Sequence, residues 1–466
     1  MEGGMSHKRE SSISLQNQIT EGVIWKQLLL FFFPILFGTF FQQLYNTVDA
    51  IIVGRFVGKE GLAAVGGSAA MIINLLVGFF IGLSSGATVI ISQFYGARQK
   101  AKVSQAVHTA VAFSIAGGLV IMAVGLISAP AALKAMGTPA ETMDDSILYL
   151  RIYFLGLIGN LLYNMGAGIL RAIGDSKRPL YFLIAGCMTN IILDIVLVLF
   201  CKMGVAGAAW ATILSQLVSA VLVIVTLIKT DDMYRLSFRQ IRIHPDMLVR
   251  IIQIGLPAGL QSVMYSASNI IIQANVNALG TDIVAAWTAY GKIDIIYWTI
   301  INAFGISITT FVGQNFGAGK FDRVYKGIRV CLAISAGATI FLSVILYSFG
   351  QYIYLLFTTD AVVIEKGMEI LHFLVPTLIT YVCIEILSGA LRGIGDCWIP
   401  MIITALGVCL LRVVWIVVAV PLYPDIKTIC FSYPLTWTVT SVLFLIYFKW
   451  FSKIRKMNSV QQHDKL

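Results

Sequence analysis

GILRAIGDSKRP at residues 168–179 lies over GALRGIGDCWIP at 389–400, with seven of twelve positions identical and an offset of 221. Near the same offset QFYGA (93–97) meets QNFGA (314–318), and Pro34 and Asn46 meet Pro257 and Asn269 at 223. The chain therefore repeats itself. In both copies LRxIGD closes one apolar run and precedes the next. Gly174 and Gly395 suit the residue after a helix end, where a left-handed backbone is needed, and Asp175 and Asp396 can cap the helix that follows, before Pro179 and Pro400. This motif reads as a structural turn, with Arg171 and Arg392 expected on helix-end carbonyls or lipid phosphates.

Working outward, the 466 residues are 58% hydrophobic and 12% charged, far from the quarter charged of an average soluble protein. Apolar runs near twenty residues recur throughout, each long enough to cross a hydrocarbon core of about 30 Å as a helix. Lipid cannot satisfy free backbone groups, so helices or closed barrels are required, and the short alternating strands of a barrel are missing. The expected fold is an all-α polytopic membrane protein of 12 transmembrane helices. Its spans lie near 27–50, 64–94, 104–129, 147–169, 180–200, 205–228, 250–277, 284–311, 327–349, 368–390, 400–421 and 427–448. Six spans separate matching points of the repeat, so the halves share one orientation. Two parallel-repeat six-helix lobes around a central cleft follow. The expected division is an N-terminal tail at 1–23, an N-lobe at 24–229, a linker at 230–247, a C-lobe at 248–450 and a C-terminal tail at 451–466.

Charge sets the orientation. One set of connections carries 24 Lys and Arg residues and the opposite set six: Arg55, Lys59, Lys134, Lys202, Lys366 and Lys427. The richer side should be cytoplasmic, placing both termini inside a bacterial-type inner (plasma) membrane. The net charge of +10 is then a topology signal, and no nucleic-acid partner is expected. The first 23 residues lack an apolar core with a cleavage site, so the first span is expected to serve as the targeting signal. Seven cysteines show neither CxxC nor metal spacing and read as small apolar fillers. Expected partners are the bilayer and a small organic substrate, with a monomeric protein and no cofactor.

The halves differ in their intramembrane polar residues. Asp49, near the outer end of span 1, matches Ile272; Asp194 of span 5 matches Trp415, and Asn190 matches Leu411. An acid at the centre of a span costs about 2.5–3.5 kcal/mol on insertion scales, so it needs a reason to persist. Asn190 and Asp194 share one helix face, Tyr45 and Asn46 extend that of Asp49, and Thr212 in span 6 adds a hydroxyl. Two facing carboxylates with such neighbours suit either a shared proton or a sodium ion. The structural alternative is that each acid hydrogen-bonds a neighbouring helix. In the second half, Lys292, Asp294, Glu385 and Arg412 form a separate charged set. Buried ion pairs, Glu385 with Arg412 or Lys292 with either acid, are the favoured reading, and substrate contacts lining the cleft are the alternative. His108 and His372, alone near helix ends, read as idle. Tyr290, Tyr297 and Trp298 suit packing, interface anchoring or stacking on flat cations.

The stretch FFQQLYNTVDAIIVGRFVG (40–58), the paired LRxIGD turns and NxxxD in span 5 resemble the multidrug and toxic compound extrusion (MATE) family, over about residues 24–450. The resemblance implies a cation-coupled (H+ or Na+) antiporter, with coupling residues Asp49, Asn190, Asp194, Thr212 and Tyr45, and a first helix that bends at Pro34. It implies export of amphipathic, cationic organic compounds by alternating access. The sequence departs from members with a C-lobe ion site, because span 7 has Gln261 in place of an acid and Tyr381 occupies the usual span-10 position. A lipid-linked oligosaccharide flippase of a related superfamily branch is the alternative. An enzyme is disfavoured because HExxH, GxSxG and acidic metal motifs are missing.

Overall fold

The computed structural model describes residues 18–452. Expectations that fall on 1–17 and 453–466, including the cytoplasmic placement of Lys8, Arg9, Lys453, Arg455, Lys456 and Lys465, lie outside the described residues. Within them the chain is helical, without strands. The helices of the first half are α1 (Ile24–Phe56), α2 (Lys59–Gly66), α3 (Ser68–Gly96), α4 (Lys100–Ala135), α5 (Ala140–Ala172), α6 (Lys177–Asp194) and α7 (Gly204–Lys229). Those of the second are α8 (Pro245–Asn277), α9 (Thr281–Gly317), α10 (Phe321–Tyr354), α11 (Ala361–Leu374), α12 (Ile379–Gly393), α13 (Trp398–Thr404), α14 (Leu411–Ala419) and α15 (Ile426–Ile446).

Among the described residues, eleven helical runs are long and apolar enough to cross a membrane, and the bent pair α11–α12, taken as one span, brings the total to twelve. That tenth span, expected as one helix over 368–390, bends by 50°. Its cause is local: Pro376 lacks the N–H a continuing helix would use, and Val375–Thr377 tightens into a 3₁₀ turn. The fifth span of each half also departs from a regular helix. A π stretch at Ile195–Phe200 follows Asp194 directly, and another at Ala405–Leu410 ends two residues before Arg412. Each widened turn thus abuts a buried charged residue, Asp194 or Arg412.

The turns follow the repeat. Gly174 and Gly395 hold positive φ of 98° and 83°. In the first copy the Gly174 and Asp175 amides donate to Arg171 and Leu170; in the second, Gly395 and Asp396 donate to Arg392 and Leu391. Both helix ends are closed by the same pair of bonds. Asp175 also accepts from the Lys177 and Arg178 amides at 3.1 Å, capping α6. Asp396 instead accepts from the Tyr447 hydroxyl at 2.6 Å.

Packing divides the chain into two compact units at points other than the linker. One unit is Phe33–Gly259; the other takes the described residues up to Phe32 and those from Leu260 onward. In the first, α5 packs against α3, α4 and α7 around a core that includes Leu150, Phe154, Leu157 and Ile213. The leading part of α8 belongs here. It meets α3 backbone to backbone, since a Cβ added at Gly82 would lie 2.5 Å from the Gly259 nitrogen and one at Gly86 2.1 Å from the Ile251 oxygen. In the second unit α9 packs against α10, α11 and α12, and α12 against α15. The leading part of α1 belongs to this unit, where Phe32 stacks on Phe304 with centroids 4.0 Å apart.

The segments that precede α1 and α8 are each held by the unit that takes the leading part of the helix. Arg323 donates to the carbonyls of Ile19, Glu21 and Gly22, Lys320 to that of Thr20 and Asn315 to that of Ile19. In the other unit, the Ser237 amide donates to His108 Nε2 at 3.0 Å and the His244 amide to Thr109 Oγ1 at 3.2 Å. His108 therefore has a structural task that its isolated place in the sequence conceals. His372 packs on the Tyr347 ring at 4.4 Å.

Candidate functional site

Asp49, Asn190, Asp194 and Thr212 are 9%, 1%, 0% and 6% exposed, within an apolar bundle. The C-terminal part of α1 is seated by Ile52 and Val53 against Val198 of the π stretch and Ala208 of α7. This packing turns Asp49 toward Asp194, and the two carboxyl groups lie close enough to interact directly. Three of their four oxygens lack a protein donor. Asp49 Oδ1, both Asp194 oxygens, both polar atoms of the Asn190 amide and Gln216 Oε1 are buried without a hydrogen-bond partner. Thr212 donates its proton to the Ala208 carbonyl at 3.0 Å, so its oxygen meets the other groups of the site, Tyr149 among them, as an acceptor.

Two ionised carboxylates side by side in a low-dielectric interior repel strongly, and each loses its hydration. A proton shared between them, or a cation bound by both, removes that penalty. The donor set of carboxylate, amide and hydroxyl oxygens is the hard kind that suits an alkali cation and serves a proton equally well.

Three residues of this neighbourhood escaped the sequence reading. Tyr149 of α5 lies beside Asp49, Tyr45 and Thr212. Tyr153, one turn along, is near Tyr45 and Gln216, and Gln216 follows Thr212 by one turn of α7. Tyr45 is half-buried among them. Pro34 lies within α1, two residues after the point where the chain leaves one unit for the other.

In the second half the expected ion pairs are not formed. Arg412, 3% exposed, donates to Thr436 Oγ1 at 3.2 Å and covers the Tyr433 ring with its guanidinium carbon 4.2 Å from the centroid. Glu385 accepts from the Tyr381 hydroxyl at 3.4 Å, and Asp294 from Trp298 Nε1 at 2.5 Å and the Tyr290 hydroxyl at 3.4 Å. Lys292 is exposed. The physical reason is direction. Residues two apart on a helix point to different faces, so Lys292 cannot follow Asp294 inward, while hydroxyl, indole and ring partners meet each buried charge locally. Among the described residues, no group of three His, Cys, Asp or Glu side chains forms a metal cluster.

The MatE family model matches the chain twice, at residues 34–196 and 257–418, with the spacing of the internal repeat. The probable multidrug resistance protein YoeA of Bacillus subtilis (strain 168) is 29% identical over 453 residues, covering 94% of this chain and 96% of YoeA. The multidrug export protein MepA of Staphylococcus aureus (strain MRSA252) is 22% identical over 375 residues, 80% of this chain and 82% of its own. Among solved structures, a MATE protein in the bent conformation superposes with a TM-score of 0.89 at 22% identity, covering 96% of this chain and 98% of that one. A MOP superfamily transporter from Pyrococcus furiosus gives 0.87 at 23%, covering 95% and 98%. With twelve helical runs fit to cross a membrane and both halves matched by one family model, this multi-pass membrane protein belongs to the MatE family, the multidrug and toxic compound extrusion transporters.

Proposed function

We propose that this protein exports amphipathic organic cations from the cytoplasm in exchange for inward-moving protons or sodium ions. The observation that carries the reading is the buried Asp49–Asp194 pair, with oxygens that no protein donor satisfies. Such a pair is costly while both acids are charged, and an ion arriving down its gradient relieves the cost. Neutralisation then favours closer packing of the outer part of α1 on α6 and α7, which shifts the balance between outward- and inward-open states. The direction follows from the inward cation gradient of a plasma membrane, with both termini in the cytoplasm. The names of YoeA and MepA, relatives described by multidrug resistance and export, support the same reading.

The test is accumulation of ethidium in cells lacking their own efflux pumps. Cells making the wild-type protein should retain less dye than vector controls, and Asp49→Asn at matched membrane expression should abolish the difference. Export by the variant at the wild-type rate would overturn the coupling assignment.

A further inference from the structure

The second half carries a cluster that its repeat partner lacks. Asp294 sits beside Trp298 and Tyr433, with Trp287 packed on Tyr290 and Tyr433; the two indoles and Tyr433 are half-buried, and the two bonds to Asp294 come from neutral donors, Trp298 and Tyr290. Among the described residues no Lys or Arg nitrogen is paired with it, and Arg412 faces Thr436 and the Tyr433 ring. Behind these residues the rings continue: Tyr381 stands 4.8 Å from Trp298 at 76°, and Trp437 5.6 Å from Tyr381 and 5.3 Å from Tyr433. At an offset of 221 the first half has Ile73, Val77, Asn160 and Gln216 where the second has Asp294, Trp298, Tyr381 and Trp437. Duplication gave both halves one scaffold. Each then acquired acids in a different setting, with small oxygen donors in the first half and aromatic rings in the second.

That contrast separates two ligand chemistries. The first setting fits a small ion. The second offers a carboxylate without a countercharge beside flat π faces, and this combination attracts an aromatic cation through its charge and its ring together. Arg412 covers one face of Tyr433, and Asp294, Trp298 and Tyr433 are each only half-buried.

We propose that Asp294, Trp298 and Tyr433, backed by Tyr381 and Trp437, form the subsite that receives the exported compound as a flat aromatic monocation. The assignment rests on the efflux reading above, adding the residues that hold the cargo and its shape.

Ethidium binding to the purified protein in detergent, followed by its fluorescence, tests this without any transport step. Asp294→Asn and Trp298→Leu should each weaken binding by about ten-fold or more, and Trp298→Phe, which keeps a ring, by less. Lys292→Gln, two residues away on an exposed position, should bind as the wild type does. Circular dichroism and gel filtration of each variant identify any that misfolds, and the Phe variant keeps the test open if the Leu variant does. Binding by Asp294→Asn and Trp298→Phe at the wild-type affinity would overturn the subsite; so would a wild-type protein that exports ethidium from cells yet binds none when purified. In both cases export lost in Asp49→Asn would leave the efflux reading standing. Wild-type cells that export no ethidium would count against that reading instead.

Discussion

Pro34 and Pro257 occupy equivalent points of the two repeats, and each lies within three residues of a place where the chain passes from one compact unit to the other. Each sits inside a long helix, in α1 and α8. A proline there removes one backbone bond and crowds the preceding turn, so the helix bends most easily where its two ends belong to different units. Replacing Pro34 or Pro257 with alanine gives back an N–H for the carbonyl of Leu30 or Gln253 and should stiffen the crossing by up to about 3 kcal/mol. Each single variant should export ethidium more slowly at unchanged membrane levels, and the double variant more slowly still. Full export by the double variant would remove both prolines from the mechanism.

The repeat also exposes a strained residue. Arg98 holds φ of 56°, where its counterpart Gly319 holds 71°. Both follow a helix end, and the amides of Arg98 and Gly319 donate to Tyr95 and Phe316 in equivalent bonds. A left-handed backbone costs a residue with a side chain about 1–2 kcal/mol, and glycine adopts it freely. Arg98→Gly should therefore stabilise the protein by about 1 kcal/mol, seen as a higher Tm in detergent. A lower Tm would mean that the Arg98 side chain contributes more than its backbone costs.

Much of this architecture was legible because duplication marks scaffold and departure from duplication marks chemistry. Gly174 with Gly395, and Pro34 with Pro257, recur because the same turns and helices must form twice. Asp49 and Asp194 stood out because a carboxylate in an apolar run has few bland explanations. Tyr149, Tyr153 and Gln216 did not, since an aromatic or amide on a helix face looks like packing until the facing helix is known. The pairing of Arg412 was equally hidden. It depends on the rotation of α14 after the π stretch, which places Thr436 and Tyr433 beside the guanidinium. His108 was misread because its partner is a backbone amide 129 residues away, which no side-chain pattern records.

That histidine helps to dock the linker, and a second histidine beside it makes the docking sensitive to acid. His108 Nδ1 lies 2.7 Å from the Ser104 carbonyl and must carry the proton, while Nε2 accepts from the Ser237 amide. Nearby, His244 Nε2 accepts from Arg242, and partial burial, then the charges of Arg242 and His108, holds the His244 imidazole below its ordinary value of 6.5. A histidine lowered in the folded state adds stability that is complete above its unfolded value and is lost as pH falls through the lowered one. Exchange of the His244 amide with deuterium, corrected for intrinsic rates, should be faster at about pH 5.5 than at about pH 7.5. His244→Gln, read at the same amide, should reduce the difference. Equal protection at both pH values in the wild type would show that the linker stays docked whatever the charge of His244.

Orientation can be read from a single thiol. Cys201 is exposed, just beyond the fifth span and beside Lys202, on the side poorer in Lys and Arg. Cys187, Cys331, Cys397, Cys409 and Cys430 are buried, and Cys383 is half-buried. A thiol needs access and some thiolate to react, so Cys201 should be modified well ahead of the others. If the side richer in basic residues is cytoplasmic, Cys201 is expected to face outward, and a membrane-impermeant maleimide should label it in intact cells. Cys201→Ser should remove that label. Labelling of Cys201 only after the membrane is opened would invert the orientation. It would also place the outer end of α1, with Asp49, on the cytoplasmic side, and so reverse the side from which a coupling ion reaches the pair.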